Sequence, residues 1–365
     1  MLGRDAHSVY QQLPLRSDQF RLMKLQHAPS RTHPIVASLF VEEFGAPSAN
    51  YDAVSYTWGD AAESVNITIN GCSLGVTRNL QVALQHLRRE DKEVTLWVDS
   101  ICINQADIVE RNAQVARMDS IYSQAEWVRI WLGEASENSE KAMQLLNDCA
   151  EISGSYNVIL RIIGDETGTR ALTELLHRPY WTRMWVFQEI VLCHRATVHC
   201  GVLTAHWSTF RRLDKISGTP SQWVGLEIRK GWVLEFRKAF FRIAQFCIRK
   251  EEARHMTNVL QPTRRLQSAD PRDKLFALLG VCDQSPFLAP DYSKSTRDIY
   301  MEFTRSFIRQ DGDLSILLTA GPWNPENGEN IDLPSWTPDY RGINGIDIRE
   351  TPPPQVDGSP TREFW

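Results

Sequence analysis

Apolar positions between residues 96 and 133 follow first a strand-like run, then helical spacing, then a second strand-like run. This order predicts the fold of the chain. A short apolar strand ends at Asp99, and a polar loop follows in which Asp107 stands at an N-cap position. Apolar residues then recur at helical spacing over 115–125, so one stripe of a helix faces a core. A second apolar run covers 127–132. Strand, helix and strand at this length predict a βαβ unit with parallel strands.

The residues before this stretch predict further strands and one helix. Residues 18–26 and 38–44 alternate in polarity like the strands of a small N-terminal hairpin or meander. Asn70-Gly71 lies between β-branched flanks, which is the strongest short-range signal for a hairpin turn. A helical stripe follows at 79–89, with an Asn cap. We interpret the charged run at 88–92 as the solvated end of that helix.

The residues after the βαβ unit predict mainly helices. A helix is expected to start at Pro179, a favourable first position, with Trp181, Trp185 and Gln188 on one side. The strand at 196–201 comes next. The other helices, which share amphipathic spacing, are predicted over 139–152, 169–177, 223–256, 271–279 and 295–310.

Composition narrows the class of protein. The chain has 365 residues, 42% of them hydrophobic, and twelve tryptophans, which together suit a globular protein with a large core. Its net charge of −5 argues against a nucleic-acid partner, because such proteins normally present a basic face. No window reaches the length of a membrane span, and the N-terminus has no secretory apolar core. We therefore predict a cytoplasmic protein without a membrane span.

The cysteines predict reduced thiols rather than disulfides or a metal centre. Seven cysteines occur at irregular spacing, mostly in apolar runs. Cys193-His194 and His199-Cys200 together offer four metal ligands. Alternation along the strand between them divides these ligands between two faces, so we predict no metal.

Four collinear segments of the chain resemble the signature of the fungal heterokaryon incompatibility (HET) family. They read YDAVSYTWGD at 51–60, WVDSICINQ…ER…MDSIY…WLG at 97–133, RPYWTRMWVFQEI at 178–190 and DPRDKLFALLG at 270–280. LPSWTPDY at 333–340 agrees more weakly. The chain is identified by this resemblance as a member of the family. It implies a signalling module of non-self recognition and programmed cell death, which acts by self-assembly or on other signalling proteins.

The family motif supplies one set of candidate residues. They are Asn104, Gln105, Glu110, Arg111, Arg183, Gln188, Asp270, Arg272 and Asp273.

The order of elements also resembles that of Toll/interleukin-1 receptor (TIR) domains, which have a flavodoxin-like fold. The segment at 51–56 resembles their first strand, and WVFQEI at 185–190 resembles their W-C-x-x-E-L pattern, with Val186 in place of Cys. The Glu of that pattern is catalytic in TIR enzymes that cleave NAD. The resemblance therefore implies Glu189 as the catalytic residue of a possible NAD nucleosidase, with NAD as substrate and no resident cofactor.

A nucleotide site is expected at the carboxyl ends of the strands, where parallel sheets bind their ligands. A carboxylate near the ribose would stabilise the oxocarbenium-like centre that forms when the nicotinamide bond breaks. Tryptophan rings would stack on a base. The predicted binding residues around Glu189 are Tyr56, Trp58, Asp60, Asp99 and Trp185.

Structural roles compete with these assignments. In the simplest alternative, Glu189 pairs with Arg183 or Arg178 on a helix surface. Glu110 beside Arg111 is a rival carboxylate, which a helix-capping role explains.

The remaining motifs also have structural interpretations. The DPRDK segment at 270–274 would fix a helix start and a buried ion pair between lobes. A Cys–His protease built on Cys102 or Cys200 with His206 is conceivable, but its spacing is not specific. The sequence contains no GxGxxG after a strand, no P-loop and no GxSxG motif.

The patterns together predict an α/β fold with a mainly parallel, flavodoxin- or TIR-like sheet, N-terminal β-hairpin additions and a helical C-terminal lobe. The expected divisions are an N-terminal β extension at 1–50, a HET (TIR-like) domain at 51–205, a helical lobe at 206–349 and a proline-rich tail at 350–365. Incompatibility signalling and NAD hydrolysis are the two functional hypotheses.

Overall fold

The computed structural model describes residues 9–341 except 46, 61, 218–230, 249–250, 252, 254, 283–287, 313, 315 and 318–330. The predicted tail at 350–365 lies outside the described residues.

A nine-stranded mixed sheet organises the fold, in the order β5-β4-β2-β1-β6-β3-β7-β8-β9. The strands are β1 Gln19–Leu25, β2 Val36–Glu43, β3 Asp52–Tyr56, β4 Ser64–Ile69, β5 Cys72–Thr77, β6 Val94–Trp97, β7 Trp127–Trp131, β8 Ala196–Cys200 and β9 Leu203–His206. The four central strands are parallel to one another, through the pairs β6–β3, β3–β7 and β7–β8. Strands β1, β5 and β9 pair antiparallel. The α/β class is confirmed, whereas the sheet is mixed rather than mainly parallel.

The helices lie between and after these strands. Those before β8 are α1 Arg78–Leu87, α2 Asp99–Cys102, α3 Ile108–Val115, α4 Met118–Gln124, α5 Ser139–Glu151, α6 Ser155–Gly164, α7 Glu166–Leu176 and α8 Trp185–Val191. Those after β9 are α9 Trp207–Ser217, α10 Gly231–Ile243, α11 Met256–Thr263, α12 Asp273–Leu279 and α13 Thr296–Asp311. None of these described helices is long and apolar enough to cross a membrane.

The stretch from 96 to 133 forms the expected strands and helical stripe, with two differences. A short helix, α2, begins directly at Asp99, and the predicted helix is divided into α3 and α4. The residues of the predicted stripe, Val115, Met118, Tyr122 and Ala125, are all buried. Strand β3 lies between β6 and β7, so the two strands of the unit share a neighbour instead of pairing with each other.

The N-terminal strands form the predicted hairpin and belong to the main sheet. β1 pairs antiparallel with β2 and also with β6, where Met23 lies opposite Leu96. The turn at Asn70 and Gly71 is also confirmed, because both residues have positive φ, 52° and 77°, and connect β4 to β5. An Asn-Gly pair tolerates this backbone, since glycine has no Cβ and asparagine enters the left-handed region more readily than other residues.

The predicted solvated end of α1 is wrong at Arg88. Its side chain is buried, and the guanidinium donates to the carbonyl oxygens of Pro34, Ser30, Arg31 and His33 at 2.8–2.9 Å. The helix begins one residue earlier than predicted, with the Thr77 hydroxyl as its cap. One residue of the charged run, Arg88, is therefore buried and holds the β1–β2 connection in place.

Three helical predictions need correction. A further helix, α6, lies between the helices predicted over 139–152 and 169–177. The helix predicted from Pro179 is a 3-10 turn, Pro179–Thr182, followed by an extended Arg183 that bridges Gln267 and only then by α8. In the predicted 223–256 helix the described part is α10 and a 3-10 turn, Ala244–Cys247.

Candidate functional site

The carboxyl end of β3 carries a buried carboxylate cluster. Ser55 is fully buried, and its Oγ donates to Oε2 of Glu189, which is 2% exposed. The Tyr180 hydroxyl lies 2.6 Å from Ser55 Oγ. Since the serine proton points to the carboxylate, Tyr180 donates to Ser55. The three groups form a hydrogen-bonded chain from Tyr180 through Ser55 to Glu189.

A break in the chain direction brings both Tyr180 and Glu189 to Ser55. Met184 N donates to Gln267 O at 2.7 Å, which stops the 3-10 turn and restarts the chain as α8. Every residue of α8 after Trp185 is buried, so this short helix passes through the core. A carboxylate on such a helix needs internal partners, because an unpaired buried charge is unfavourable.

Arg183 supplies the positive charge next to this carboxylate. Its guanidinium donates to the carbonyl oxygen of Tyr56, and its charge acts on both Glu189 and Asp99. Burial alone lowers the pKa of Arg183, but the two carboxylates outweigh burial and raise it. Arg183 therefore stays protonated while it bridges the end of β3 to two acidic groups.

Burial raises the pKa of Glu189 to about 7, although Arg183 and the Ser55 hydrogen bond act in the opposite direction. The pKa of Asp99 is also raised, first by burial, against the opposing effects of Arg183 and of the Trp58 hydrogen bond. Glu189 consequently changes its charge near neutral pH.

Asp99 joins the cluster from the end of β6. Its Oδ2 accepts from Trp58 Nε1 at 2.8 Å, and its Oδ1 accepts from Ser100 N at 2.7 Å. The Ser100 hydroxyl lies 2.6 Å from the hydroxyl of Tyr56. Trp58 is 41% exposed, so the indole covers Asp99 from the solvent side.

Of the residues predicted around Glu189, the structure brings together Tyr56, Trp58 and Asp99. Asp60 is exposed, and its carboxylate accepts from Ala62 N within its own turn. Trp185 turns toward the C-terminal lobe instead, where its side chain hydrogen-bonds to Asp273.

The structural alternative for Glu189 is correct in naming Arg183, whose charge acts on the Glu189 carboxylate, and wrong in placing the pair on a helix surface, because Glu189 is buried. Arg178 serves another purpose: its guanidinium donates to Leu132 O and Glu134 O at 2.8 and 2.9 Å and fixes the loop after β7.

Glu110 has a structural partner that the sequence did not reveal. Asp107 caps α3 as expected, accepting from Val109 N and Glu110 N. The Glu110 carboxylate accepts from Asn104 N at 2.7 Å and from the buried guanidinium of Arg21 at 2.6 and 3.0 Å. The capping explanation is thus half correct, since Glu110 also neutralises a buried arginine of β1.

Arg111 and the DPRDK segment meet at a second cluster around Tyr292. The guanidinium of Arg111 lies 4.1 Å from the Tyr292 ring centroid, and that of Arg272 lies 5.2 Å away. The Tyr292 hydroxyl donates to Asp273 at 2.6 Å. Arg272 pairs with Asp270 at 2.6 Å within the DPRDK segment, so this ion pair is local and half-buried, unlike the buried pair between lobes that was predicted. This cluster joins α3 to the C-terminal helices.

The other motif residues hold the backbone near these clusters. Gln105 Nε2 donates to Asp99 O at 3.1 Å. Gln188 is 2% exposed, and its Nε2 would lie 2.6 Å from a Cβ placed on Gly280. Gly280 therefore permits the close approach of α12 to α8 and α4.

The arrangement excludes the protease constellation at the thiols considered. Cys200 Sγ donates to Ser139 Oγ at 3.3 Å, whereas His206 Nδ1 lies 2.9 Å from Ser208 Oγ. The Cys102 thiol accepts from Val98 N. No group of three or more His, Cys, Asp or Glu side chains in the described part of the chain is arranged to hold a metal ion.

Ser55 and Tyr180 were missed by the sequence reasoning. The available signal was a single hydroxyl inside the apolar strand YDAVSY, because a polar side chain in a buried strand requires a partner.

Comparison with known proteins identifies the part of the chain that holds the first cluster. Residues 51–189 match the family model described as "Heterokaryon incompatibility protein (HET)". The matched segment begins next to β3 and ends at Glu189, so it contains every residue of the Ser55–Glu189 cluster.

A curated relative extends the similarity beyond residues 51–189. The chain is 26% identical, over an alignment of 404 residues, to "Heterokaryon incompatibility protein 6, OR allele" of Neurospora crassa. The alignment covers 89% of this chain and 58% of that relative, so the chain spans little more than half of the relative's length. No solved structure matches the chain.

Proposed function

We propose that this chain acts in fungal heterokaryon incompatibility, as a signalling module that triggers cell death during non-self recognition. The observation that carries the proposal is the HET match over residues 51–189, together with the similarity to heterokaryon incompatibility protein 6. The same segment contributes Ser55, Asp99, Tyr180, Arg183 and Glu189, whose buried polar contacts define one conformation of the domain.

Inducible expression in a filamentous fungus tests this role. We expect induction of the wild-type chain to reduce viability or growth. Arg170→Gln, which removes an exposed guanidinium from α7, is the matched control and should act like wild type. Full growth despite accumulation of folded wild-type protein would contradict the proposal.

The finer fold proposal is that strands β6, β3, β7 and β8 form a flavodoxin- or TIR-like core. In chain order these are the second, first, third and fourth of the group, and 2-1-3-4 is the order that begins the flavodoxin-like sheet. Ser55 and Tyr56 end the first of them, beside the point where such sheets bind ligands. This order supports the proposal, whereas the antiparallel β9 departs from it.

The proposed setting is the cytoplasm, with other signalling proteins or further copies of the chain as partners. Six of the seven cysteines are buried, which suits a reducing compartment.

NAD hydrolysis, the alternative suggested by the TIR resemblance, is not favoured. Glu189 is 2% exposed, and Ser55 occupies its carboxylate. Catalysis by Glu189 would need this carboxylate to reach the ribose, because a catalytic group must lie within hydrogen-bond range of its substrate.

A turnover assay separates the two functions. Purified protein is incubated with NAD, alone and under forced clustering, and released nicotinamide is measured. We expect none above the background of Glu189→Gln. Release that Glu189→Gln abolishes and Glu110→Gln preserves would establish the enzyme instead.

A further inference from the structure

A cavity lies where three distant parts of the chain meet next to the start of α8. It has about 410 Å³ of empty space and opens to solvent. Its wall includes residues from the start of α8, from α11 and α12, and from the segment near 340, namely Met184, Leu260, Arg264, Lys274, Asp339 and Tyr340. Cavities of this size with a mixed apolar and polar wall are typical of small-molecule sites. The wall contains no residue of the Ser55–Glu189 cluster, so it is a separate candidate site.

Lys274 brings a buried ammonium group to the cavity wall. The residue is 8% exposed, and its Nζ donates to Leu266 O and, at 3.1 Å, to Arg264 O. An ammonium has three N–H donors, and Lys274 makes no third hydrogen bond within the described residues. Burial, followed by the charge of Arg264, lowers the pKa of Lys274 to about 8, although Asp339 acts in the opposite direction. Lys274 is therefore still charged at neutral pH, with one donor left over.

The cavity wall carries more positive than negative charge. Arg264 and Lys274 are its cations, and the charge of Arg264 disfavours the protonated form of Lys274. Asp339 is the acidic residue of the wall, and Arg341 holds its carboxylate through hydrogen bonds of 3.0 and 2.8 Å. An anion that enters the cavity therefore meets a positive field, which its own charge would offset.

The rest of the wall is mainly apolar. Met184, Leu260 and Pro338 contribute side chains without hydrogen-bond donors. The hydroxyls in the wall already have partners, because Thr263 donates to Val259 O and the Tyr340 hydroxyl lies 2.9 Å from Thr304 Oγ1. A ligand that fits this wall has an apolar body and one negatively charged group.

We propose that this cavity binds a small carboxylic acid with an apolar body, whose carboxylate accepts a hydrogen bond from Lys274. A carboxylate offers only acceptor oxygens and a negative charge, which match the third ammonium donor and offset the repulsion between Lys274 and Arg264. The apolar body gains by leaving water for the surface of Met184, Leu260 and Pro338. Such a ligand would contact both the segment that matches the HET family model and the C-terminal helices.

Methionine-methyl NMR of the full chain tests this site, with n-hexanoate as the probe. The Met184 signal is assigned with Met184→Leu, and Met143, a buried residue of α5 outside the cavity wall, is the internal control. We expect hexanoate to shift the Met184 signal saturably and to leave Met143 unchanged. Hexanamide has the same length but no charge, so it should bind about tenfold more weakly than hexanoate.

Further arms of the experiment separate the charge of the probe from its apolar body. Inorganic phosphate, which has charge but no apolar body, should also bind more weakly than hexanoate. Lys274→Met should reduce the affinity for hexanoate to that for hexanamide, whereas Lys141→Met, at an exposed lysine of α5, should leave it unchanged.

Three results would overturn the proposal. In the wild-type chain, these are an unchanged Met184 signal with hexanoate and an affinity for hexanamide or phosphate that equals the affinity for hexanoate; neither measurement needs a variant. The third is a folded Lys274→Met variant that still prefers hexanoate to hexanamide. The outcome does not depend on the role in incompatibility.

Discussion

Glu189 is the residue whose environment departs furthest from expectation, because a carboxylate sits in the core at the end of β3. Ser55 donates to it, Tyr180 donates to Ser55, and Arg183 faces it with a positive charge. These contacts reduce the free-energy cost of burying the charged Glu189 carboxylate but do not remove it, since the pKa of Glu189 remains raised to about 7. The residue therefore links the stability of the domain to pH.

Stability should fall as pH rises through the range in which Glu189 ionises. The raised pKa means that the folded state binds the Glu189 proton more tightly than the unfolded state. This contribution to the free energy of unfolding is therefore fully present below a pH of about 4.5 and is lost as the pH rises through about 7. A shift of this size corresponds to roughly 3 kcal/mol. Chemical denaturation from pH 4.5 to 8 should show the decline, and Glu189→Gln should remove part of it. An identical pH profile in Glu189→Gln would contradict this linkage.

Ser55→Ala should destabilise the fold by about 1–3 kcal/mol, because it leaves a buried carboxylate and the Tyr180 hydroxyl without their shared partner. It should also raise the pKa of Glu189 further. Denaturant melts measure the first effect, with Ser208→Ala at an exposed serine as control. Equal stability of the two variants would show that the hydrogen-bonded chain contributes nothing.

Among the elements, α1 shows how neighbouring charges of the same sign take different roles. Arg88 holds four carbonyl oxygens of the β1–β2 connection, whereas Arg89 is exposed. Arg88→Ala should lower the free energy of unfolding by about 1–3 kcal/mol, since the hydrogen bonds of a buried guanidinium to four carbonyl oxygens are lost. Arg89→Ala should change it by no more than about 0.5 kcal/mol. Urea denaturation measures the free energy of unfolding of both variants. Similar losses in the two variants would contradict the special role of Arg88.

The predictable elements are those specified by neighbours in the chain. The Asn70-Gly71 turn and the buried stripe of α4 follow from local chemistry and periodicity, and both formed as expected. The start of the helix predicted from Pro179 did not form as an α-helix, because the break at Arg183 depends on Gln267, which lies far along the chain. That break also turned Trp185 away from Asp99 and toward Asp273.

In the whole molecule, the segment that matches the HET family model, residues 51–189, packs on the C-terminal helices through a few close contacts. A Cβ on Gly280 would lie 2.4 Å from Asp119 Cβ and 2.6 Å from Gln188 Nε2, so α12 packs directly on α4 and α8. Arg111 and Tyr292 form a second such contact. Pairs of this kind are widely separated in sequence, as are Ser55 with Glu189 and Arg21 with Glu110. For that reason, the motifs predicted the family but not these partners.

Gly280→Ala should destabilise the molecule by about 2 kcal/mol or more, because the methyl group meets backbone-anchored atoms with no room to move. Gly164→Ala is the matched control: a Cβ there meets nothing within 4 Å, and alanine is the better helix former. In thermal unfolding, Gly280→Ala should therefore lower the melting temperature and Gly164→Ala should raise it. A stable Gly280→Ala variant would show that this contact is looser than described.

The most direct test of the proposed role is fusion between two fungal strains that differ only in this gene. One strain carries the chain, the other lacks it, and death of fused compartments is scored with a vital dye. The account predicts death in fused cells once the chain is induced, and none when the expressed chain carries Gly280→Ala. Healthy fusion cells that contain abundant, folded wild-type protein would contradict it.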